Sequence, residues 1–318
     1  MLSLTNRDQT NIQLDMRRQR TINSAVSAVG IGIHTGKKVR ITLNPAPANS
    51  GIVFIRSDLS DRPQVRATTS NVSNTMLATS LSEDGVTVSC VEHLMSALWS
   101  LGIDNLHIEM TSEEVPIMDG SAAPFVYLIK SSGTREQKAA KQFVRIKKPI
   151  ELTSDDACVA LLPYDGFKAS YTFVCDHHVY NRYPKHASLD FSETSFVKEV
   201  SRARSFGLIR DLDQAQSVNK CLGSSLENAV GIGDFNILNA DGLRYEDEFV
   251  KHKLLDAIGD LYLAGNTILG EFVGYKSGHC MNNELARTLL ARPDTWERVS
   301  FDDEAREVVK PFLQPIAA

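Results

Sequence analysis

Residues 244–265, RYEDEFVKHKLLDAIGDLYLAG, predict one helix that carries polar groups along one face. His252, Asp256 and Asp260 follow one another at intervals of four, so on a helix they lie one above another over two turns. The apolar positions of the same stretch are Leu254, Leu255, Ile258, Leu261 and Leu263. They predict that the helix packs on a hydrophobic core, and Gly265 is a natural end for it.

A histidine and an aspartate one helical turn apart can bind one metal ion together. A neutral imidazole and a carboxylate both suit zinc. The alternative is that His252 and Asp256 form an ordinary polar pair on the helix surface. A further ligand elsewhere in the chain would decide between these two interpretations.

The composition is that of an ordinary globular protein, with 318 residues of which 42% are hydrophobic and 23% charged. The length favours two domains, and the formal net charge of -5 gives no reason to expect nucleic acid as a partner. The five cysteines include no C-x-x-C, which argues against a disulfide framework and favours a reducing compartment. No apolar run suits a signal peptide or a membrane span.

The predicted elements divide the chain into two halves, each with strands first and helices later. In the first half, alternation predicts a hairpin within 21–47 and a helix at 89–101. Strands begin again at 143–146, and the second half ends with a strand at 268–275 and a helix at 282–291.

The polar stretch 131–141, which carries Gly133, predicts the boundary between the halves. The expected divisions are an N-terminal extension at 1–17, a first α+β domain at 18–138 and a second α+β domain at 139–318.

A weak internal repeat supports this division. The segment HLMSALWSL at 93–101 can be laid over KLLDAIGDL at 253–261, and the apolar positions match except where Trp99 falls on Gly259. A duplication with a site between the two equivalent helices would explain the match, and so would chance.

Glu92 and His93 form a second candidate group. His93 is a possible third zinc ligand, and Glu92 a possible general base, the part played by the glutamate beside a ligand histidine in HExxH enzymes. The alternative is structural. Ser89-x-x-Glu92 fits a capping box, in which Glu92 would only hydrogen-bond the start of the helix and His93 would be half-buried.

His279 is a third candidate, on a predicted loop after Gly278. A histidine in such a place is suited to acid–base chemistry, and Asp260 could orient its imidazole. Lys253 could stabilise an oxyanion. The alternatives are a loop histidine without a task and a solvated lysine.

Several blocks of the chain together resemble the UDP-3-O-acyl-N-acetylglucosamine deacetylases, the zinc amidases of lipid A biosynthesis in Gram-negative bacteria. The blocks are GIGIHTGKKVRITLNPAPANSGI (30–52), VEHLMSALWSLGIDNLHIEM (91–110), EVPIMDGSAAPFVYLI (114–129), SRARSFGLIRD (201–211), NILNADGLRYEDEFVKHKLLDAIGDLYLAG (236–265) and YKSGH (275–279). The resemblance implies an α+β fold of two similar domains, each a β-sheet layered against two helices, with the active site in the cleft between them.

The resemblance also implies roles for individual residues. The implied zinc ligands are His93, His252 and Asp256. The implied catalytic residues are Glu92 as general base, His279 as acid and oxyanion stabiliser, Asp260 as its partner, Lys253 for substrate positioning, and Ser205, where many relatives have Thr. The implied substrate contacts are Phe206, Gly207, Asp211 and Leu77, with an insert around 195–222 that lines a passage for the acyl chain.

The implied reaction is zinc-dependent hydrolysis of the N-acetyl group of UDP-3-O-acyl-N-acetylglucosamine, which gives acetate and UDP-3-O-acyl-glucosamine. We expect one Zn²⁺ per chain, a small-molecule substrate, no nucleic acid, no transmembrane segment, and a cytoplasmic monomer. The segment 175–178, Cys-Asp-His-His, departs from the Phe-Asp-His-Pro of the family, which leaves the uridine contacts open. A metal hydrolase with another substrate and a non-catalytic sugar-nucleotide binding protein remain as alternatives.

Overall fold

The computed structural model describes residues 18–192 and 194–301. The predicted N-terminal extension at 1–17 and the last residues of the predicted second domain lie outside these ranges. Within them the chain forms nineteen β-strands and six α-helices. None of the helices in these ranges is both long and apolar enough to cross a membrane.

The first half of the chain contains two helices, one before and one after the strand Leu106–Met110. Its elements are β1 (Arg18–Ile22), β2 (Val26–Ile31), β3 (Lys38–Pro45), β4 (Ile52–Arg56), β5 (Gln64–Arg66), β6 (Val72–Asn74), β7 (Ser80–Glu83), β8 (Val86–Val88), α1 (Glu92–Ser100), β9 (Leu106–Met110), α2 (Ala123–Ser132) and β10 (Thr134–Ala140).

The second half follows the same plan with a different insertion. Its elements are β11 (Phe143–Ile146), β12 (Ile150–Ser154), β13 (Ala157–Leu162), β14 (Phe167–Thr172), β15 (His186–Asp190), α3 (Phe196–Glu199), β16 (Phe206–Leu208), α4 (Leu212–Ser217), β17 (Val230–Ile232), α5 (Glu248–Tyr262), β18 (Thr267–Tyr275), α6 (His279–Ala291) and β19 (Trp296–Val299).

The two halves have the same sheet topology. The strand order is β2-β3-β9-β4-β5 in the first and β12-β13-β18-β14-β15 in the second. Along both paths the central strand pairs in parallel with β4 or β14, and the other pairings are antiparallel. In the second half, β18 also pairs in parallel with β11, which lies off this path. The pair β1–β10 has its counterpart in β11–β19. The predicted fold class, α+β with two similar domains, is confirmed, and the shared topology supports the duplication.

Helices α1 and α5 pack against each other at the centre of the molecule. Gly259 lies where they touch, because a Cβ atom there would be 2.0 Å from the carbonyl oxygen of Glu92. This contact explains the one mismatch in the internal repeat. A side chain like that of Trp99 has no room at position 259.

Two predicted element boundaries are wrong. Helix α5 runs from Glu248 to Tyr262 and not over 244–265. The Glu248 carboxylate accepts a hydrogen bond from the amide of Arg244, which holds the preceding residues in a turn. At the other end, the amide of Gly265 bonds to the carbonyl of Tyr262, three residues back, and Gly265 has φ +87°.

The polar stretch 131–141 is not a free linker. It contains the strand β10, which pairs antiparallel with β1. Its polar side chains face other polar groups: Glu136 bonds to Arg20, and Gln137 accepts a hydrogen bond from Asn105. The domain boundary between 138 and 139 remains a prediction.

Candidate metal centre and catalytic cavity

Helices α1 and α5 bring three metal-binding side chains together. His93 comes from α1, and His252 and Asp256 come from α5; one ligand atom of each lies within 4.8 Å of the other two. The Nε2 atoms of His93 and His252 are 3.5 and 3.4 Å from Oδ1 of Asp256. Ligands on zinc bonds of 2.0–2.1 Å at tetrahedral angles lie about 3.4 Å apart, so these separations fit one ion.

The surroundings of these side chains also fit a metal ion. Oδ1 of Asp256 is buried and has no hydrogen-bond partner, which is costly unless a cation contacts it. The other oxygen of Asp256, Oδ2, accepts a hydrogen bond from Nζ of Lys253 at 2.5 Å. Nδ1 of His252 donates to the carbonyl of Ala203 at 3.1 Å, which leaves the lone pair of Nε2 free for a metal. Because His252 and Asp256 are only 5% and 2% exposed, they are not a surface pair.

Burial and charge set the ionisation of this group. Burial lowers the pKa of His252 to about 3, so its ring is neutral, as a metal ligand must be. Burial would raise the pKa of Asp256, but His252 and Lys253 hold it well below its ordinary value. The carboxylate is therefore ionised. Lys253 keeps its charge, since Asp256 outweighs the effect of burial and raises its pKa.

Glu92 is a buried carboxylate beside the metal-binding group. It is 4% exposed, and its Oε2 accepts a hydrogen bond from the amide of Thr79 at 3.0 Å. The capping-box interpretation is wrong, because the Ser89 hydroxyl donates to the carbonyl of Glu113 and no side chain caps α1. Burial raises the pKa of Glu92, which makes it a better proton acceptor than an exposed carboxylate.

His279 lines the cavity and is paired with Asp260, which is fully buried behind it. His279 is the first residue of α6 and does not lie on a loop as predicted. Its Nδ1 is 2.9 Å from Oδ2 of Asp260. Burial alone would lower the pKa of His279, but the Asp260 carboxylate raises it to about 9. The imidazole is therefore protonated at neutral pH and can donate a proton.

A cavity of about 500 Å³ is lined by Glu92, His93, His252, Lys253, Asp256 and His279. An adjoining, mostly apolar cavity of about 450 Å³ runs into the segment between β15 and α5. Leu77, Ser205 and Phe206 line both cavities. Gly207 and Asp211 line only the apolar one, and Asp211 is exposed. The segment that carries β16 and β17 therefore supplies the walls of this passage.

Two polar residues that the sequence analysis missed connect the candidate catalytic groups. The hydroxyl of Thr79 donates to Oδ1 of Asp260 at 2.6 Å, while its amide holds Glu92. Asn282 donates to Oδ2 of Asp260 at 3.0 Å. Thr79 lies 181 residues from Asp260 in the chain, so no local pattern could have revealed it. In the segment 175–178 the rings of His177 and His178 stack at 4.7 Å, and they also contact Tyr180 and Phe235.

The fold and this cavity are those of a metal-dependent hydrolase. Over residues 19–291 the chain matches the LpxC family, UDP-3-O-acyl N-acetylglycosamine deacetylase. Proteins named UDP-3-O-acyl-N-acetylglucosamine deacetylase from Marinobacter nauticus and Thioalkalivibrio sulfidiphilus are each 52% identical to it over 303 residues. The one from Hahella chejuensis is 51% identical over the same length.

These alignments cover 95% of this chain and 99 to 100% of each relative. The chain therefore belongs to the LpxC family of deacetylases, and the resemblance inferred from its sequence blocks is confirmed.

Proposed function

We propose that this protein removes the N-acetyl group of UDP-3-O-acyl-N-acetylglucosamine by hydrolysis, in the biosynthesis of lipid A. Membership of the deacetylase family supports the reaction. The structural observation that carries the proposal is the buried, unpartnered Oδ1 of Asp256, which lies between two imidazoles and in one cavity with Glu92 and a protonated His279.

We propose that the metal ion bound at this site is zinc. His93, His252 and Asp256 would hold it, because two imidazoles and a carboxylate form a donor set common in catalytic zinc sites. When bound, the ion supplies Lewis-acid activation of a water molecule and of the substrate carbonyl.

Glu92 acts as the general base. It accepts a proton from the attacking water as the water oxygen bonds to the carbonyl carbon of the acetamide. The amide of Thr79 fixes the carboxylate while this happens. A positioned base of this kind contributes roughly 10²–10⁴ in rate.

His279 stabilises the oxyanion and then gives its proton to the departing nitrogen, which leaves as the amine of the sugar. Asp260 keeps the imidazole charged and oriented. Ser205, at the junction of the two cavities, is placed to give the oxyanion a further hydrogen bond, and one such donor contributes ~2.7–4 kcal/mol. Lys253 positions the substrate and screens Asp256.

The apolar passage accommodates the acyl chain of the substrate. Phe206 and Leu77 lie where the passage meets the catalytic cavity, and Gly207 leaves space along its wall. Asp211 contributes a polar contact at the exposed side. This arrangement favours a substrate with an acyl chain over an ordinary peptide or ester.

We further propose that the protein acts as a monomer in the cytoplasm, with a UDP-sugar and no nucleic acid as its partner. The five cysteines are all free in the structure, which suits a reducing compartment. Size-exclusion chromatography with light scattering would test the oligomeric state.

The deciding experiment is a deacetylation assay on UDP-3-O-acyl-N-acetylglucosamine with the purified protein, before and after removal of metal and after addition of one equivalent of zinc. We expect activity to be lost with the metal and restored with zinc. The Glu92→Gln variant should retain the metal and lose turnover by about 10²-fold or more. Glu113→Gln, which changes a carboxylate paired with Lys37 outside the cavity, is the matched control and should remain active. Activity that is indifferent to metal removal would refute the proposed role of the ligands.

A further inference from the structure

Thr79 is bonded both to the candidate base and to the partner of the candidate acid. Its backbone contacts the start of α1: the amide donates to Oε2 of Glu92 at 3.0 Å, and the carbonyl accepts a hydrogen bond from the amide of Val91 at 3.3 Å. Its hydroxyl donates to Oδ1 of Asp260 on α5 at 2.6 Å. One residue of the first half is therefore bonded to a helix of each half.

The Asp260 carboxylate accepts hydrogen bonds on both of its oxygens. Oδ1 accepts the Thr79 hydroxyl, and Oδ2 accepts Nδ1–H of His279 at 2.9 Å and the side-chain amide of Asn282 at 3.0 Å. A carboxylate held in this way cannot rotate without breaking at least one bond. Because Asp260 is 0% exposed, an oxygen that lost its donor would stay unpaired at a considerable cost. The orientation of Asp260, and of the imidazole that it holds, therefore depends on the Thr79 hydroxyl.

Thr79 has no part of its surface in contact with a substrate. It is 0% exposed, whereas Leu77 and Ala78 just before it line the catalytic cavity. Any effect of its hydroxyl on the reaction must therefore pass through Asp260.

We propose that Thr79 is a positioning residue, which fixes the base Glu92 and the Asp260–His279 pair relative to each other. The proposal rests on the proposed function, in which the base accepts a proton from water and the acid gives one to the departing nitrogen. A misplacement of about 1 Å in such an arrangement can cost about 10²-fold in rate. A residue bonded to both groups limits that misplacement more directly than packing does.

The first test is the removal of the hydroxyl in Thr79→Val, which keeps the shape of the side chain and both backbone bonds. We expect kcat to fall by roughly 10–100-fold, the usual effect of losing a group that orients an active-site residue. KM and the content of bound zinc should not change, because the hydroxyl bonds to Asp260 and not to a metal ligand. Thr79→Ser keeps the hydroxyl and should restore most of the activity.

Thr295→Val is the matched control. Thr295 is also 0% exposed, and its hydroxyl donates to the carbonyl of Arg292 at 2.7 Å, after the end of α6. The substitution removes the same buried hydrogen-bonding group, so kcat should stay at the value of the unmodified protein. An equal fall of kcat in Thr79→Val and Thr295→Val would mean that a general loss of stability is the cause.

Combining Thr79→Val with Asp260→Asn shows whether Thr79 acts through Asp260. If it does, the double variant is no slower than Asp260→Asn alone, because the carboxylate that the hydroxyl orients is already gone. If Thr79 acts by packing alone, the two losses of rate multiply. Multiplied losses would overturn the proposal.

A proton NMR measurement tests the same contact without the deacetylation. The Nδ1 proton of His279 is buried and bonded to a carboxylate, so we expect a downfield resonance that His279→Gln removes. In Thr79→Val this resonance should move upfield or broaden, and in Thr295→Val it should not. A protein that fails to deacetylate but shows this change would refute the proposed function and leave the contact between Thr79 and the pair intact. An unchanged resonance in Thr79→Val, or its absence from the unmodified protein, would overturn the proposal.

Discussion

At the scale of the residue, the charge on His279 gives the proposed reaction its pH limit. Burial would lower the pKa of this imidazole, but Asp260 raises it to about 9. The proton donor is therefore present below that pH and is lost as the pH rises through it. We expect kcat/KM to fall on the alkaline side near pH 9. In Asp260→Asn the alkaline limb should move to lower pH, because the neutral amide no longer stabilises the imidazolium.

The control for this prediction is Glu284→Gln. It removes the same charge from an exposed position on α6, the helix that begins with His279. Its pH profile should match that of the unmodified protein. An alkaline limb that stays in place in Asp260→Asn would show that another group limits the rate at high pH.

Part of the candidate site could be predicted from local spacing. The intervals between His252, Asp256 and Asp260 place them on one helix face, and the structure agrees. Spacing alone could not pair Asp260 with His279; residue chemistry suggested the pair as one possibility, and the resemblance to a known family implied it. Thr79 and Asn282 were missed because their role depends on hydrogen bonds to Asp260, which only the folded structure reveals.

At the scale of the element, the close contact between α1 and α5 requires a glycine at position 259, because a side chain there would not fit. A Cβ atom there would be 2.0 Å from the Glu92 carbonyl oxygen, so Gly259→Ala forces the helices apart. We expect a loss of roughly 1–3 kcal/mol in the free energy of unfolding, the usual effect of overpacking. Turnover should fall as well, since Glu92 moves relative to the metal ligands. Urea unfolding and the deacetylation assay measure the two effects.

Gly207→Ala is the matched control for stability. A Cβ atom at Gly207 would meet no other atom within 4 Å, and the substitution is chemically the same. Equal stability losses in the two variants would mean that the helix contact is not the cause.

The start of α5 depends on a buried ion pair. Glu248 is fully buried and accepts hydrogen bonds from the guanidinium and the amide of Arg204. Ala203, the neighbour of Arg204, orients the ligand His252 through its carbonyl. In Glu248→Gln the buried guanidinium loses its counter-charge, and removing one partner of such a pair costs about 3–5 kcal/mol.

We expect Glu248→Gln to bind the catalytic metal more weakly too, by about 10–100-fold, since the carbonyl that fixes His252 shifts. Chemical unfolding and competition with a chelator would measure these changes. Glu246→Gln, at an exposed position before the helix, should change neither. Unchanged metal affinity in Glu248→Gln would show that the ion pair does not influence the metal site.

The element-scale errors of the sequence analysis have physical causes. The stretch 131–141 looked like a linker because β10 pairs polar side chains with polar neighbours, and no apolar alternation marks it. His279 looked like a loop residue because Gly278 precedes it, yet that glycine lies just outside α6 as its N-cap. Strands of three residues, such as β16 and β17, are too short for a periodic pattern.

At the scale of the whole molecule, the two halves interlock. Trp99 of α1 packs against Phe167, Phe191 and Phe196 of the second half, with ring centroids 5.0–5.9 Å apart. In return, the hydroxyl of Tyr262 on α5 bonds to the carbonyl of Ile103. The sequence could predict two similar halves from the order of elements and the repeat. It could not predict these contacts between the halves, because the sequence of each half shows which positions are apolar but not which residues they pack against.

The catalytic metal should stabilise the whole molecule, since His93 belongs to one half and His252 and Asp256 to the other. A ligand that binds only the folded protein stabilises it by about 2.7 kcal/mol at a concentration one hundred times its Kd. We therefore expect a chelator to lower the thermal unfolding midpoint and zinc to restore it. The His93→Gln variant should show a much smaller response. An unfolding midpoint that does not change with metal would contradict a site whose ligands come from both halves.

Helices α1 and α5 occupy equivalent places in the two halves, yet they carry different side chains. In the overlay of the two segments, Glu92 coincides with His252, Ser96 with Asp256, and Ser100 with Asp260. An ancestral single copy could set two such helices side by side only by pairing with a second copy of itself. Two copies joined in one chain are free to differ, so that one can carry a base where the other carries a metal ligand. The present cleft is asymmetric in this way, with Glu92 on α1 where α5 has His252.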